Sequence, residues 1–123
     1  MSRYKNQRFR ARLGFALRGL AQALRSEASL RLQALAFAAA LLVLFALRPP
    51  AVWWALVILA SAAVVAAELF NTAIEHLADL LHPQHSPGIR LVKDCAAAGV
   101  LVAVLGALGV AAALLVHLLS GAL

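Results

Sequence analysis

The chain carries only five carboxylates, and three of them, Glu68, Glu75 and Asp79, share one stretch with Asn71 among them. At about 100° per residue the four positions fall within an arc of about 80°, stacked along one helix face. Glu68 follows directly on 17 uncharged residues, Ala51 to Ala67, and is the deepest of the set. Ionisable groups at a membrane boundary are costly and usually face a functional cavity or a partner. The two other acids, Glu27 and Asp94, each stand among basic residues at the edge of an apolar run. A carboxylate pair such as Glu27 and Glu75 can hold a hard divalent cation such as Mg²⁺, which prefers one or two carboxylates plus substrate phosphates and water. Lys93, with Arg8 in support, can neutralise phosphate charge. Glu68, nearest the lipid, is placed to take a proton from a hydroxyl presented at headgroup level. Together these residues describe phosphoryl transfer at a membrane surface. The alternative is a solvated juxtamembrane face whose acids merely pair with arginines.

The elements that must position these groups follow from composition. With 64% hydrophobic and 13% charged residues and a mean hydropathy of +0.91, a unit of 123 residues cannot hide its apolar surface as a water-soluble globule. This excludes a soluble enzyme, a disordered tail and a disulfide scaffold, and predicts one all-α integral membrane module. Leu32 to Leu47 is free of charge and is stopped by Arg48-Pro49-Pro50, which predicts a first span over about 30–48. Val52-Trp53-Trp54 opens the second at the level of an aromatic belt. The helical pattern continues without Gly or Pro to Leu81, so this span covers about 51–81 and projects into a polar zone. His82 to Arg90, with two prolines and a glycine, reads as a short loop. Cys95 to Val116 supplies 22 uncharged residues, for a third span over about 91–119.

Ahead of the spans, about 6–28 forms an amphipathic surface helix. Phe9, Leu13, Ala16, Leu17, Leu20 and Leu24 share one face, and Arg8, Arg12, Arg18 and Arg25 cluster opposite. Phe15 falls on the arginine side, where it either packs on a neighbouring subunit or stacks on a ligand. The long basic lead does not fit a cleavable signal peptide. Three spans put the termini on opposite sides, and the side holding the N-terminus and the 82–94 region carries ten of the eleven basic residues. The positive-inside rule makes that side cytoplasmic. Such charge marks a membrane surface, and no aromatic-rich surface accompanies it to bind nucleic acid. Cys95 reads as a small packing residue. The histidines His76, His82, His85 and His117 read as loop and boundary polarity, with no Cys-His ligand set for zinc or haem. No Walker-type or kinase-type glycine loop is present, so a nucleotide would be held by another architecture.

Glu68-Leu69-Phe70-Asn71-Thr72-Ala73-Ile74-Glu75 resembles the Glu-x-x-Asn-(Ser/Thr)-Ala-Ile-Glu signature of the prokaryotic diacylglycerol kinase family, which also includes undecaprenol kinases. Arg18-Gly19-Leu20, Glu27, Arg31, Asp79 and Lys93-Asp94-Cys95-Ala96-Ala97 stand at family-like spacing, so the resemblance covers nearly the whole chain. It implies a homotrimer of three-span subunits in the bacterial inner membrane, with active sites shared between neighbours and ATP-dependent, Mg²⁺-assisted phosphorylation of a lipid alcohol. By position, Glu68 would be the general base, Glu27 and Glu75 the metal ligands, and Asn71 and Asp79 their support. Arg8, Lys93 and Asp94 would contact the nucleotide together with Glu27 and Glu75. Phe15 stands where some members carry a Tyr near the adenine, and Gln84-His85-Ser86 corresponds to the nucleotide-contacting loop. Leu17 replaces a Trp of some diacylglycerol kinases, and Gln33 stands where some carry an acid. The expected substrate is diacylglycerol, giving phosphatidate, with undecaprenol as the runner-up. A non-catalytic membrane scaffold and a proton-relaying transporter are the rivals from other classes. The transporter reading suffers because no acid lies within the uncharged core of any span.

Overall fold

The computed structural model describes residues 8–121, and over them the chain is helical: α1 Phe9–Ser26, α2 Ala28–Leu47, α3 Ala51–Leu81 and α4 Pro87–Leu119. The last three are each long and apolar enough to cross a membrane. Helices dominate because in hydrocarbon every backbone amide must find its partner within the protein, which a single helix achieves unaided.

Glu27 alone separates α1 from α2, with an extended backbone (φ −111°, ψ 109°). The sequence has no glycine or proline there. The chain turns because the amphipathic α1, with Phe9, Leu13 and Leu17 exposed along its apolar face, gives way to a helix that is apolar all round. The turn frees the last carbonyls of α1, and Arg31 supplies donors for them: its Nη1 bonds Leu24 O at 2.9 Å and Arg25 O at 2.8 Å. At the far end of α2, Arg48 adopts a left-handed conformation (φ 48°, ψ 55°) and closes the helix through its N–H to Leu44 O. Pro49 and Pro50 then prevent its continuation.

Several boundaries differ from the sequence expectation: the surface helix runs Phe9–Ser26 rather than to 28, because Glu27 breaks it, and the first span starts at Ala28 rather than 30. The first span ends one residue early, at Leu47, because Arg48 is the cap rather than part of the helix. The last helix starts at Pro87, four residues before the expected 91, so the loop shrinks to 82–86. Ser86 is its N-cap, its Oγ accepting from Ile89 N at 3.2 Å, and Pro87 occupies the first turn, where its missing N–H costs nothing. The Pro-Gly pair read as a loop signal is a helix start. Positions 6 and 7 of the expected surface helix lie outside the described residues.

Helix α3 is the organising element. It packs against α4 along much of its length, against α2 over a shorter stretch, and touches α1; the backbones of α2 and α4 stay apart and meet only through side chains at the core. Leu44, Val57 and Leu114 bring α2, α3 and α4 together near the end opposite α1. Phe45 meets Trp54 edge to face at 4.8 Å, and Trp53 lies 5.3 Å from the His117 ring. Most large side chains elsewhere point outward, as lipid-facing or subunit-facing surfaces do. Between α2 and α4, over α3, runs an apolar groove of about 440 Å³ from Gln33 to Leu118.

Candidate functional site

At the end where α1, α2 and α3 meet, Glu68 is buried, with 5% of its surface exposed. An unpartnered carboxylate there would be untenable, since burying a charge without hydrogen bonds costs several kcal/mol or more. Both oxygens are occupied. Oε1 accepts from the hydroxyl of Ser29, and Oε2 from the side-chain amide of Gln33 at 3.3 Å. Both donors sit on α2, one turn apart on the same face, 39 and 35 positions before their partner. Gln33 also lines the apolar groove, so the groove is linked to the buried carboxylate through this side chain.

Seven residues on, about 10.5 Å along the axis, Glu75 lies half-buried on the same face. Asn71 donates from Nδ2 to Glu75 Oε1 at 3.3 Å, while its own Oδ1 is buried without a partner. Among the described residues the Glu27 side chain, half-buried at the α1–α2 turn, makes no hydrogen bond or ion pair. Asn71 and Glu75 offer adjacent amide and carboxylate oxygens, a donor chemistry that fits a hard cation better than a transition metal.

The carboxylate column ends at Asp79, whose Oδ1 accepts from Lys93 Nζ at 2.6 Å across to α4. Asp94 faces Arg90 one turn earlier at 3.9 Å. Both pairs are solvent-accessible, so each contributes under about 1 kcal/mol, and the cations are free to exchange partners. Between the ends of α3 and α4 lies a polar pocket of about 280 Å³, its wall including Asp79, Gln84, His85, Arg90, Lys93 and Asp94. His82 Nδ1 donates to Gln84 O at 2.7 Å and shapes the short loop. Ser86 is spent on capping α4 and does not line the pocket.

The residues singled out in the sequence therefore fall into three groups. Glu68, Asn71, Glu75 and Asp79 form one column. Gln84, His85, Lys93 and Asp94 gather at its lower end. Arg8 stands at the far tip of α1, about 27 Å by helical rise from the Glu27 turn, and α1 does not touch α4. One chain thus does not bring Arg8 to the polar pocket. Phe15, half-buried on α1, carries the guanidinium of Arg18 over its ring at 5.1 Å, as its place on the arginine side implied. Ser29 is the site residue that sequence reasoning missed. Nothing in its spacing announces it, and only its position two residues after Glu27 could have drawn attention.

A buried, doubly hydrogen-bonded carboxylate beside an apolar groove, with oxygen donors and a polar pocket farther along the same helix, suits transfer between a water-borne and a lipid-borne reactant. Comparison with known proteins agrees. The family model for prokaryotic diacylglycerol kinase matches residues 14–115. The undecaprenol kinase of Bacillus subtilis (strain 168) is 34% identical over 85 residues, which cover 69% of each chain. With the signature on α3, the three apolar helices and these matches, the chain belongs to the prokaryotic diacylglycerol kinase family and is a membrane lipid kinase.

Proposed function

We propose that the chain transfers the γ-phosphate of ATP to the primary hydroxyl of diacylglycerol, with Glu68 as general base. The observation that carries this reading is the continuity of the groove with Glu68 through Gln33. An acyl chain lying along the groove brings its headgroup to the only carboxylate buried among the described residues. The hydroxyl donates to Glu68, passes its proton there as it attacks, and ADP leaves toward water. Lys93, released from Asp79, neutralises phosphate oxygens, and His85, Gln84 and Asp94 contact the nucleotide from the polar pocket. Arg8 and Phe15 join it from α1 of a neighbouring subunit in a homotrimer. Glu27 and Glu75, with Asn71 Oδ1, would hold Mg²⁺, which when bound supplies charge neutralisation to the phosphates. The basic side of the molecule, with the N-terminus, is the cytoplasmic one, where ATP is found.

Undecaprenol is the second reading, favoured by the Bacillus subtilis relative. It presents the same primary hydroxyl at the same depth, so the geometry of Glu68 serves either. Purified protein assayed with labelled ATP and each lipid in turn decides between them: the reading requires the higher kcat/KM with diacylglycerol. Glu68→Gln is expected to lower kcat by at least ~10²-fold with the preferred lipid, the scale of general-base catalysis. A variant that keeps full turnover removes Glu68 from the chemistry and leaves its carboxylate a structural group.

A further inference from the structure

Ser29 presents an alcohol to Glu68 in the way a lipid substrate must. Its hydroxyl donates to Oε1 of the buried carboxylate, and Gln33 fixes the same carboxylate through Oε2. A hydroxyl hydrogen-bonded to a base that a third group orients is the arrangement that marks an activated nucleophile. Ser29 is also exposed, in the first turn of α2 and two residues from Glu27. The rest of the column does not offer this combination. Thr72 is buried and does not hydrogen-bond the Glu68 carboxylate, whose partners are Ser29 and Gln33, and Ser61 lies in the groove, seven residues further into the apolar span.

The geometry points to Ser29 as a second phosphoryl acceptor, one that the chain itself carries. This inference rests on Glu68 being the base for the lipid hydroxyl. Whatever places the γ-phosphate in line with an alcohol bound to Glu68 Oε1 places it in line with Ser29 Oγ. In the absence of lipid, Oγ forms a bond to the γ-phosphorus while its proton passes to Glu68. The bond from phosphorus to the β,γ-bridging oxygen breaks and ADP leaves, so the products are phosphoserine, ADP and a protonated Glu68 that returns its proton to water. The first turn of a helix favours the new negative charge. A phosphate there also occupies the base and adds charge beside Glu68, so the modified chain is shut off as a lipid kinase. Lipid and Ser29 compete for one oxygen, and a chain supplied with substrate is protected.

The full-length protein in detergent, with γ-labelled ATP and Mg²⁺ but without lipid, tests this, with lipid phosphorylation measured on the same preparation. The expected result is label on the protein that survives hydroxylamine, as a phosphate ester does and an acyl phosphate on a glutamate does not, and that peptide mass spectrometry places at residue 29. Adding the preferred lipid should reduce the labelling rate at least ~10-fold. Glu68→Gln and Ser29→Ala should each abolish the label, while Ser29→Thr, which keeps a hydroxyl, should retain it. A preparation that phosphorylates lipid but never labels Ser29 overturns the inference and leaves the kinase reading standing. Label at Ser29 that persists in Glu68→Gln overturns it as well. If neither lipid nor protein is labelled, both readings fall.

Discussion

Asn71, like Gln33, leaves a buried amide oxygen without a partner. The amide nitrogen of Asn71 serves Glu75. A buried unpaired carbonyl costs about 1–3 kcal/mol, a cost that a ligand bound between Asn71 and Glu75 removes. Asn71→Ala should therefore weaken the cation site in two ways, by deleting a donor oxygen and by freeing the Glu75 side chain. Losing such an orienting partner typically costs 10–100-fold in metal affinity. We expect the Mg²⁺ concentration for half-maximal activity to rise by at least ~10-fold, with Mn²⁺ binding followed by its own spectroscopic signal weakened in parallel. Unchanged Mn²⁺ binding would remove Asn71 from the site. The column itself was legible in the sequence because a spacing of three and four residues encodes one helix face. Ser29 and Gln33 were not, because their contacts with Glu68 join positions 39 and 35 residues apart, and such contacts follow from how α2 sits on α3 rather than from any local pattern.

At the scale of elements, the α1–α2 turn decides where Glu27 points. The extended residue is Glu27 itself, and the turn is held by the two bonds from Arg31 to the last carbonyls of α1. Arg31 is exposed, so its loss should cost only about 1 kcal/mol of stability. It should nevertheless loosen the angle between the surface helix and the first span. Arg31→Ala is expected to speed amide exchange through Ala23–Glu27 while leaving α3 protected, and to lower kcat more than it raises the KM for ATP. Arg31→Lys, which can reach one carbonyl but not fork to two, should fall between. Equal exchange in the variant and the parent would show that the turn is fixed by packing alone. The spans were read closely from uncharged runs and their proline stops. The start of α4 was misplaced because Pro and Gly were weighed as breakers, whereas Ser86-Pro87 is also a capping pair, and only the accepted bond from Ile89 N decides between these meanings.

Across the whole molecule, the carboxylate column runs along α3 from the buried Glu68 to Asp79 at the polar pocket. The backbone of α1 comes close to α2 and α3, and that of α4 to α3, but neither α1 nor the site end of α2 packs its backbone on α4. From Glu68 to Asp79 is eleven residues, about 16 Å along the axis, and Arg8 is farther still from the pocket that Lys93 lines. The outward faces of α4 carry Leu101, Val102, Leu105 and Leu108, all exposed. In a bilayer such faces gain nothing from burial as such, and they associate through close packing of small residues, which Ala96 to Gly99, Gly106 and Gly109 provide. These distances favour sites completed between subunits, with the base from one chain and the phosphate-contacting loop and α4 from the next. The prediction is tested by complementation. Glu68→Gln and Asp94→Asn proteins, each inactive alone, are mixed in denaturing detergent, refolded together and assayed across a range of ratios. If base and Asp94 are contributed by different chains, some mixed assemblies hold a site in which both are intact, and activity should rise to a maximum at intermediate ratios and vanish at either extreme. If each chain completes its own site, every site in every mixture carries one lesion, and activity stays at the parental floor throughout.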